Sequence, residues 1–526
     1  MTICFLPGWL WVPVLAVCFA PQRAPRPAAA VLLDGHFQPH MVLQRERPLT
    51  ITGVAPGSSW VEVGWDDIRT RAPVEEGRFS AVLPPLAHGG PHALWAQTDE
   101  GVRIELPDVL VGDVWLVSGQ SNAAMVLGAS EGGQEAAAQA TDLVRVRGLT
   151  VASRLADEPH TEIGGTWSRP SPETALQFSA LGFYLARELA LTSDVPQGVI
   201  VAAQGDSTGE AWVSKAVLLA DPELEHIVHA YERLVLDHDR VMADFRAALE
   251  RFHEQNRLRS RQGFEPSRRP PRAPLGPDNI KRPWGLREGM IAPLFRLPVR
   301  GVVWYQGESN APRAKEYQHI LRALIADWRA GFGDPTLPFL VVQPPGLGEL
   351  GARTSPGHWA RLREAQRRVF AEVPHVGLAI ALDLGDPDDV HSPRKRELGE
   401  RVALLARRVQ QGAAPGASGP VPVRFEAEAG AMRVTLACVE GGGLVPRGPL
   451  DNFELQDAQG TWWPAHAQIE RVDTALGGTV IVRHPAVHAV AVRYAWLDHP
   501  ASPLVDGAGR VASPFSSADE ALKVGG

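Results

Sequence analysis

Cysteine is scarce in this chain: there are three in 526 residues, Cys4 and Cys18 in the first twenty positions and Cys438 far downstream. That placement leaves no disulfide framework for the body of the protein, and no CxxC or Cys/His cluster points to a metal. Excess positive charge is missing too. Lys and Arg total 52 against 60 Asp and Glu, a net charge of −8, which gives no general attraction to nucleic acid or to an anionic membrane. The densest basic run, RLRSRQGFEPSRRPPR (Arg257–Arg272), is rich in proline and reads as a solvated loop, with no nucleic-acid motif beside it. Nor is there a comfortable membrane span. The apolar run ICFLPGWLWVPVLAVCFA is short and broken by proline, and PAAA (Pro27–Ala30) offers an A-x-A-like cleavage site, although no basic residue precedes Arg23. Residues 1–30 therefore read as a signal peptide, and a lipoprotein box ending at Cys18 is disfavoured by the bulk of Val17. The expected location is secreted or periplasmic, with no membrane contact beyond the export signal.

What is present is the composition of a globular protein, 44% hydrophobic and 21% charged, in a chain long enough for two to four domains. Residues 31–108 read as an N-terminal β domain. LTITGVAPGSSWVEVGW and GRFSAVLPPLAHGGPHALWAQ alternate apolar and polar positions around Gly/Pro turns, the texture of a small sandwich. From 109 to 410 near-continuous apolar runs alternate with amphipathic helical stretches. The runs are VLVGDVWLV (109–117), QGVIVAA (197–203), VRGVVWY (299–305), FLVVQ (339–343) and VGLAIAL (376–382). This rhythm predicts α/β architecture, a parallel sheet covered on both faces. A helical, charged and then Pro/Arg-rich segment, 215–285, reads as an insertion over one face. QGAAPGASGPVP (Gln411–Pro422) is a linker, and β texture returns over 420–517.

Two loops share one pattern. GQSNA (Gly119–Ala123) follows the first parallel run, and GESNA (Gly307–Ala311) follows the third, so each offers a serine at the sheet's carboxyl edge. Neither has the second glycine of a G-x-S-x-G elbow. A third strand-end segment, LDLGDPDDVHSPRKRELGERVALLA, holds Asp383, Asp386, Asp388, Asp389 and His391. A serine hydroxyl needs a base, and a histidine oriented by a carboxylate is the usual one. Alone, this loop reads as a solvated acidic turn or a set of oxygen ligands for a cation. Beside two Gly-Ser-Asn loops it becomes a candidate base and acid. Oxyanion stabilisation needs N–H donors aimed at one point. The candidates are the amides of Ser121 and of Gly205, in AAQGDSTGEAW, and a side-chain amide from Gln306 or Asn310. Asn122 and Asn310 are further candidates for holding substrate.

MVLQRERPLTITGVAPG, VLVGDVWLVSGQSN, EGMIAPLFRLPVRGVVWYQGESNA, LREAQ, DLGDPDDVHSPRKRELGERVA and AVRYAWLDHP…GRVASPF together resemble successive signature stretches of the sialate O-acetylesterase family, within the SGNH-type (GDSL-like) serine hydrolases. The likeness runs from about residue 31 to 517. It implies a flavodoxin-like core with flanking β-sandwich-like domains, and a serine esterase that removes O-acetyl groups from sugars without metal or cofactor. It also implies that Ser121 is the nucleophile and His391 the base, with Gln306 the preferred side-chain donor in the oxyanion hole and Glu308 and Ser309 scaffold. Asp388 has the D-x-x-H spacing of the wider superfamily and Asp389 matches many closer relatives; Asp388 is slightly favoured. Two departures stand beside the site: Asp206 occupies the place of a second glycine, and HSP replaces HP.

An acetyl xylan or other polysaccharide acetylesterase would share this core and triad. A carbohydrate-binding protein with an inactive core is a second class, suggested by tryptophan in TWWPAH and RYAW, although Trp462 and Trp463 read as core or interface rather than as a sugar platform. His484 and His488 in HPAVH read as incidental rather than as metal ligands. A metal phosphoesterase lacks the clusters it would need. The expected partner is an acetylated carbohydrate, with no nucleic acid. The sequence is silent on the oligomeric state.

Overall fold

A computed structural model of the chain describes residues 30–352, 357–428, 430–438, 442–473, 477–501 and 503–518. The expected signal peptide, apart from Ala30, lies outside them.

The organising element is a long strand, β1 (Arg103–Gly119). Its first six residues alternate between exposed and half-buried, and its last eleven are all buried. The change follows from its neighbours. Over 103–111 it pairs antiparallel with Gly89–Thr98, so one face meets solvent. Beyond Asp113 it lies between two parallel strands with helices over both faces, where only a continuous apolar run is at home. β1 passes straight through position 108, so the N-terminal strands and the parallel core share one sheet.

The other parallel strands are β2 (Val146–Thr150), β3 (Gln197–Ala203), β4 (Gly301–Tyr305), β5 (Phe339–Gln343) and β6 (Val376–Ile380). They lie in the order β2-β3-β1-β4-β5-β6. Five of the six coincide with the runs expected from the sequence. β2 was not among them, because VRGLT is interrupted by Arg147 and Gly148. Arg147 is buried there because its guanidinium donates to the carbonyls of Val144 and Val146 and to Asp108.

β1 ends in a four-residue helix, α1 (Ser121–Ala124). Helices α2 (Ala180–Thr192) and α5 (Lys395–Gln410) pack on each other over one face of the sheet. The other face is covered by α3 (Ala314–Gly331) and α4 (His358–Glu372). The 215–285 segment forms helices Lys215–Ala220, Glu225–Leu236 and His238–Arg261, the last with no buried residue, and then an irregular stretch. Its tail reaches the loop after β3, where Lys281 Nζ lies 2.8 Å from Asp206 Oδ1. Asp206 has φ of 59°, a left-handed conformation that aspartate tolerates better than most residues.

Residues from Val421 onward form a seven-stranded antiparallel sheet that includes β7 (Phe453–Gln456), β8 (Trp462–Asp473) and β9 (Ala491–Tyr494). It is tied to the core by Arg363 of α4. This buried guanidinium donates to the carbonyls of Pro344 and Pro345 after β5, and to those of Leu497 and Asp498 after β9. No helix among the described residues is long and apolar enough to cross a membrane.

Candidate active site

The carboxyl ends of β1, β3, β4 and β6 deliver four loops to one place. Both Gly-Ser-Asn loops begin with a glycine that the geometry requires. Gly119 has φ of 137°, and a Cβ on it would lie 2.0 Å from the Tyr305 carbonyl oxygen. Gly307 has φ of 146°, and its Cβ would press on the Leu362 side chain. The repeated pattern is therefore a repeated sharp exit from adjacent strands.

The two serines do not fare alike. Ser121 Oγ lies 2.8 Å from His391 Nε2, across 270 positions of chain. Among the described residues Ser309 presents only a backbone contact, its N–H to Gln120 Oε1 at 3.4 Å. The other imidazole nitrogen, Nδ1, lies 3.1 Å from Asp389 Oδ1, which also accepts the His391 N–H at 2.8 Å. That N–H, then the imidazole, hold the Asp389 carboxyl below its ordinary range.

Asp388, the slightly favoured acid, is not the one that meets the histidine. Asp386 Oδ1 accepts the N–H groups of both Asp388 and Asp389, and this tight turn brings residue 389, not 388, back over the ring. Asp383 is engaged elsewhere, bidentate to Arg401. The extra residue of HSP is held as well: Ser392 is buried and its hydroxyl donates to the Leu384 carbonyl.

Gly205 stands beside the serine; a Cβ there would lie 3.6 Å from Ser121 Cβ. The N–H groups of Ser121 and Gly205 make no hydrogen bond among the described residues. For Ser121 the reason is local, since a helix's first N–H has no partner four residues back. Gln306 and Asn310 are less available than the sequence suggested. Gln306 is buried, and its Nε2 donates to Asn310 Oδ1 at 2.9 Å and Gln120 Oε1 at 3.2 Å. Asn310 is also buried; its Nδ2 donates to Glu210 and its Oδ1 accepts from Gly209 N–H. Both amides brace the loops from within. Gln120 was not singled out in the sequence, yet it directly precedes Ser121. Its oxygen is held by Gln306 and Ser309, and its Nε2 has no partner among the described residues.

Asn122 is likewise unavailable to a substrate. It is 1% exposed, and its amide joins three loops: Nδ2 donates to Glu308 Oε1 (2.8 Å) and to the Val390 carbonyl (3.0 Å), while Oδ1 accepts from Lys395 Nζ (2.7 Å). Lys395 also donates to the Ser392 carbonyl and lies over the Tyr305 ring. Its burial pushes its pKa down to about 8, opposed by the Glu308 charge. Burial pushes Glu308 up, and its Oε2 is shielded without a hydrogen-bond partner. Lys395 and Asn122 thus grip the chain on both sides of His391. The LREAQ stretch supplies the floor: Gln366 Nε2 donates to the carbonyls of Gln306 and Val342. Among the described residues no group of three or more His, Cys, Asp or Glu side chains is placed to hold a metal ion.

Three comparisons bear on this arrangement. Residues 289–408 match the family described as carbohydrate esterase, sialic acid-specific acetylesterase. The chain is 29% identical to the sialate O-acetylesterase of Rattus norvegicus over 88% of each chain. It is 27% identical to that of Homo sapiens over 80% of this chain and 77% of the other. Among solved structures it is similar to a carbohydrate acetylesterase from Xanthomonas citri, with a TM-score of 0.75 and 31% identity, covering 93% of this chain and all of that one. With that likeness running nearly end to end, the chain belongs to the sialate O-acetylesterase family of carbohydrate esterases.

Proposed function

We propose that this protein, a sugar O-deacetylating esterase by its family, works through a Ser121–His391–Asp389 triad and an acetyl-enzyme. The observation that carries the reading is the 2.8 Å contact between Ser121 Oγ and His391 Nε2. His391, its Nδ1 proton facing Asp389, takes the serine proton as Oγ bonds to the acetyl carbonyl carbon. The carbonyl oxygen gains the charge, and the N–H groups of Ser121 and Gly205 meet it, with the free Gln120 amide as a third donor and Gln306 as its brace. The bond from carbon to the sugar oxygen then breaks, and His391 returns the proton to the departing hydroxyl. Water repeats the sequence on the acetyl-serine, giving acetate and free Ser121. No step calls on a metal or cofactor.

The strand order supports a flavodoxin-like core: without the outer β2, the sequence β3-β1-β4-β5-β6 is the 2-1-3-4-5 pattern of that fold. On this reading residues 31–108 and 420–517 are β domains flanking an esterase domain at 109–410, and the leader directs export to the periplasm or beyond. The substrate is an O-acetylated glycan. The test is acetate release from O-acetylated sialic acid, acetylated xylan and p-nitrophenyl acetate. Wild type releases acetate from at least one glycan. Ser121→Ala, with an unchanged circular dichroism spectrum, releases none from any. Retained activity in Ser121→Ala would contradict the proposal.

A further inference from the structure

Two sequence features left unused by the active site, TWWPAH and HPAVH, come together in the C-terminal sheet. Trp462 lies half-buried beneath Arg493, 4.3 Å from guanidinium to ring. Trp463, expected in a core or interface, is not in a core: it is 42% exposed. Its ring helps to wall a cavity of about 370 Å³ together with Asp457, Gln459, His484, Val487 and His488.

This ring is held, not loose. Its Nε1 donates to Asp457 Oδ2 at 2.7 Å, while Asp457 Oδ1 accepts the N–H groups of Gln459 and Thr461. The His484 ring flanks it, centroids 6.1 Å apart and planes at 41°. His484 Nδ1 accepts the Ala486 N–H, and its Nε2 makes no hydrogen bond among the described residues. Thus an oriented aromatic face stands at a polar rim formed by His484, His488 and Gln459.

We propose that this cavity is a second carbohydrate site, which holds a neutral polysaccharide chain while its ester is cut at Ser121. The proposal rests on the esterase reading above. A pyranose with equatorial substituents has a face of C–H groups, and the electron-rich face of an indole attracts it; the hydroxyls at the sugar's edge then need hydrogen-bonding groups around the ring. The cavity offers both. None of its lining residues is Lys or Arg, and Asp457 adds a carboxylate, a lining that disfavours an acidic sugar. Position also fits. From His488 the chain runs through β9 to His499, whose ring Nδ1 donates to the Gly348 carbonyl. Beside it Leu347 pairs with Asp386, in the turn that presents His391. Eleven residues span at most about 40 Å, so the cavity lies within a polymer's length of the His499–Gly348 contact beside that turn.

The test uses the full chain. Retardation in native gels containing soluble acetylated xylan, or polysialic acid, measures binding without turnover. Acetate release from acetylated xylan gives KM, and p-nitrophenyl acetate reports the chemistry. We expect xylan to retard the wild type and polysialic acid not to. Trp463→Ala should lose the retardation and raise KM for acetylated xylan at least fivefold, with p-nitrophenyl acetate turnover within twofold of wild type. Trp463→Phe should recover most of the binding. Should Trp463→Ala fail to fold, the exposed-rim variants His488→Ala and Gln459→Ala carry the same readouts, with threefold losses expected. Undiminished retardation in the variants, a wild type that xylan does not retard, or a change in oligomeric state alone would overturn the proposal. Failure of the esterase reading shows separately, as a wild type that releases acetate from no glycan whatever its retardation.

Discussion

The Nζ of Lys395 donates a 2.7 Å hydrogen bond to Asn122 Oδ1, joining residues 273 positions apart beside the Ser121–His391 contact. One partner directly follows the serine and the other lies four residues past the histidine. The contact therefore fixes the distance between the loops that carry the proposed nucleophile and base without touching either. The Asn122 bond to the Val390 carbonyl tightens the same closure. We treat both side chains as positioning residues.

Asn122→Ala removes that closure. It leaves buried Lys395 and half-buried Glu308 without their shared amide, at an expected cost of about 2–4 kcal/mol in unfolding free energy. Misplacing His391 should lower kcat for p-nitrophenyl acetate by about 10²-fold. Denaturant titration and steady-state kinetics check the two numbers. A variant with wild-type kcat would show that the loops hold themselves.

Lys395 gives a pH signature. In the folded chain its pKa is about 8, against 10.5 for an ordinary lysine. Between those values the unfolded chain holds a proton that the folded one has released, so this site's contribution to stability rises with pH across the window and is lowest below about 8. The stability of the wild type relative to Lys395→Met, from urea midpoints, should therefore increase from pH 8 to pH 10. A difference that stays flat contradicts the buried ammonium.

Asp389 and Asp388 are adjacent and alike in type, yet only one faces the imidazole. Asp389→Asn should reduce kcat/KM by about 10–10²-fold, less than for a buried triad acid because Asp389 is well exposed to water. Asp388→Asn should stay within about threefold, the scale of an exposed site away from the reacting atoms. The reverse ranking would mean that the loop rearranges around substrate.

Arg363 makes a stability prediction. Burial lowers its pKa to about 10, and its guanidinium serves four carbonyls on two segments of chain. Arg363→Met leaves those carbonyls unpaired and should cost about 3–5 kcal/mol, seen as a lower denaturant midpoint. Arg363→Lys should recover only part, because an ammonium cannot match the planar fork.

Periodicity made the core strands legible, because a parallel sheet covered on both faces needs unbroken apolar runs. β2 escaped because Arg147 breaks the run, and that arginine is tolerable only through contacts the sequence does not show, to the carbonyls of Val144 and Val146 and to Asp108. The Ser121–His391 pair was legible as two strand-end loops with complementary chemistry. The choice of Asp389 over Asp388 was not, since it depends on how Asp386 caps the turn. In the sequence Asn122 and Asn310 stand beside the serines, and Gln306 lies in the block that resembles an oxyanion hole, so all three read as facing substrate. The structure turns all three inward, because loops packed this closely need their own buried amides satisfied. Nothing in the sequence marks Lys395 as buried, and its place under the His391 loop is visible only in the structure.

Mass mapping of a fluorophosphonate adduct tests the central claim most directly, since only a serine activated by its neighbours attacks the phosphorus. We predict one adduct, on the peptide carrying Ser121, lost in His391→Ala and kept in Ser309→Ala. An adduct on Ser309, or labelling of Ser121 that persists without His391, would contradict the account.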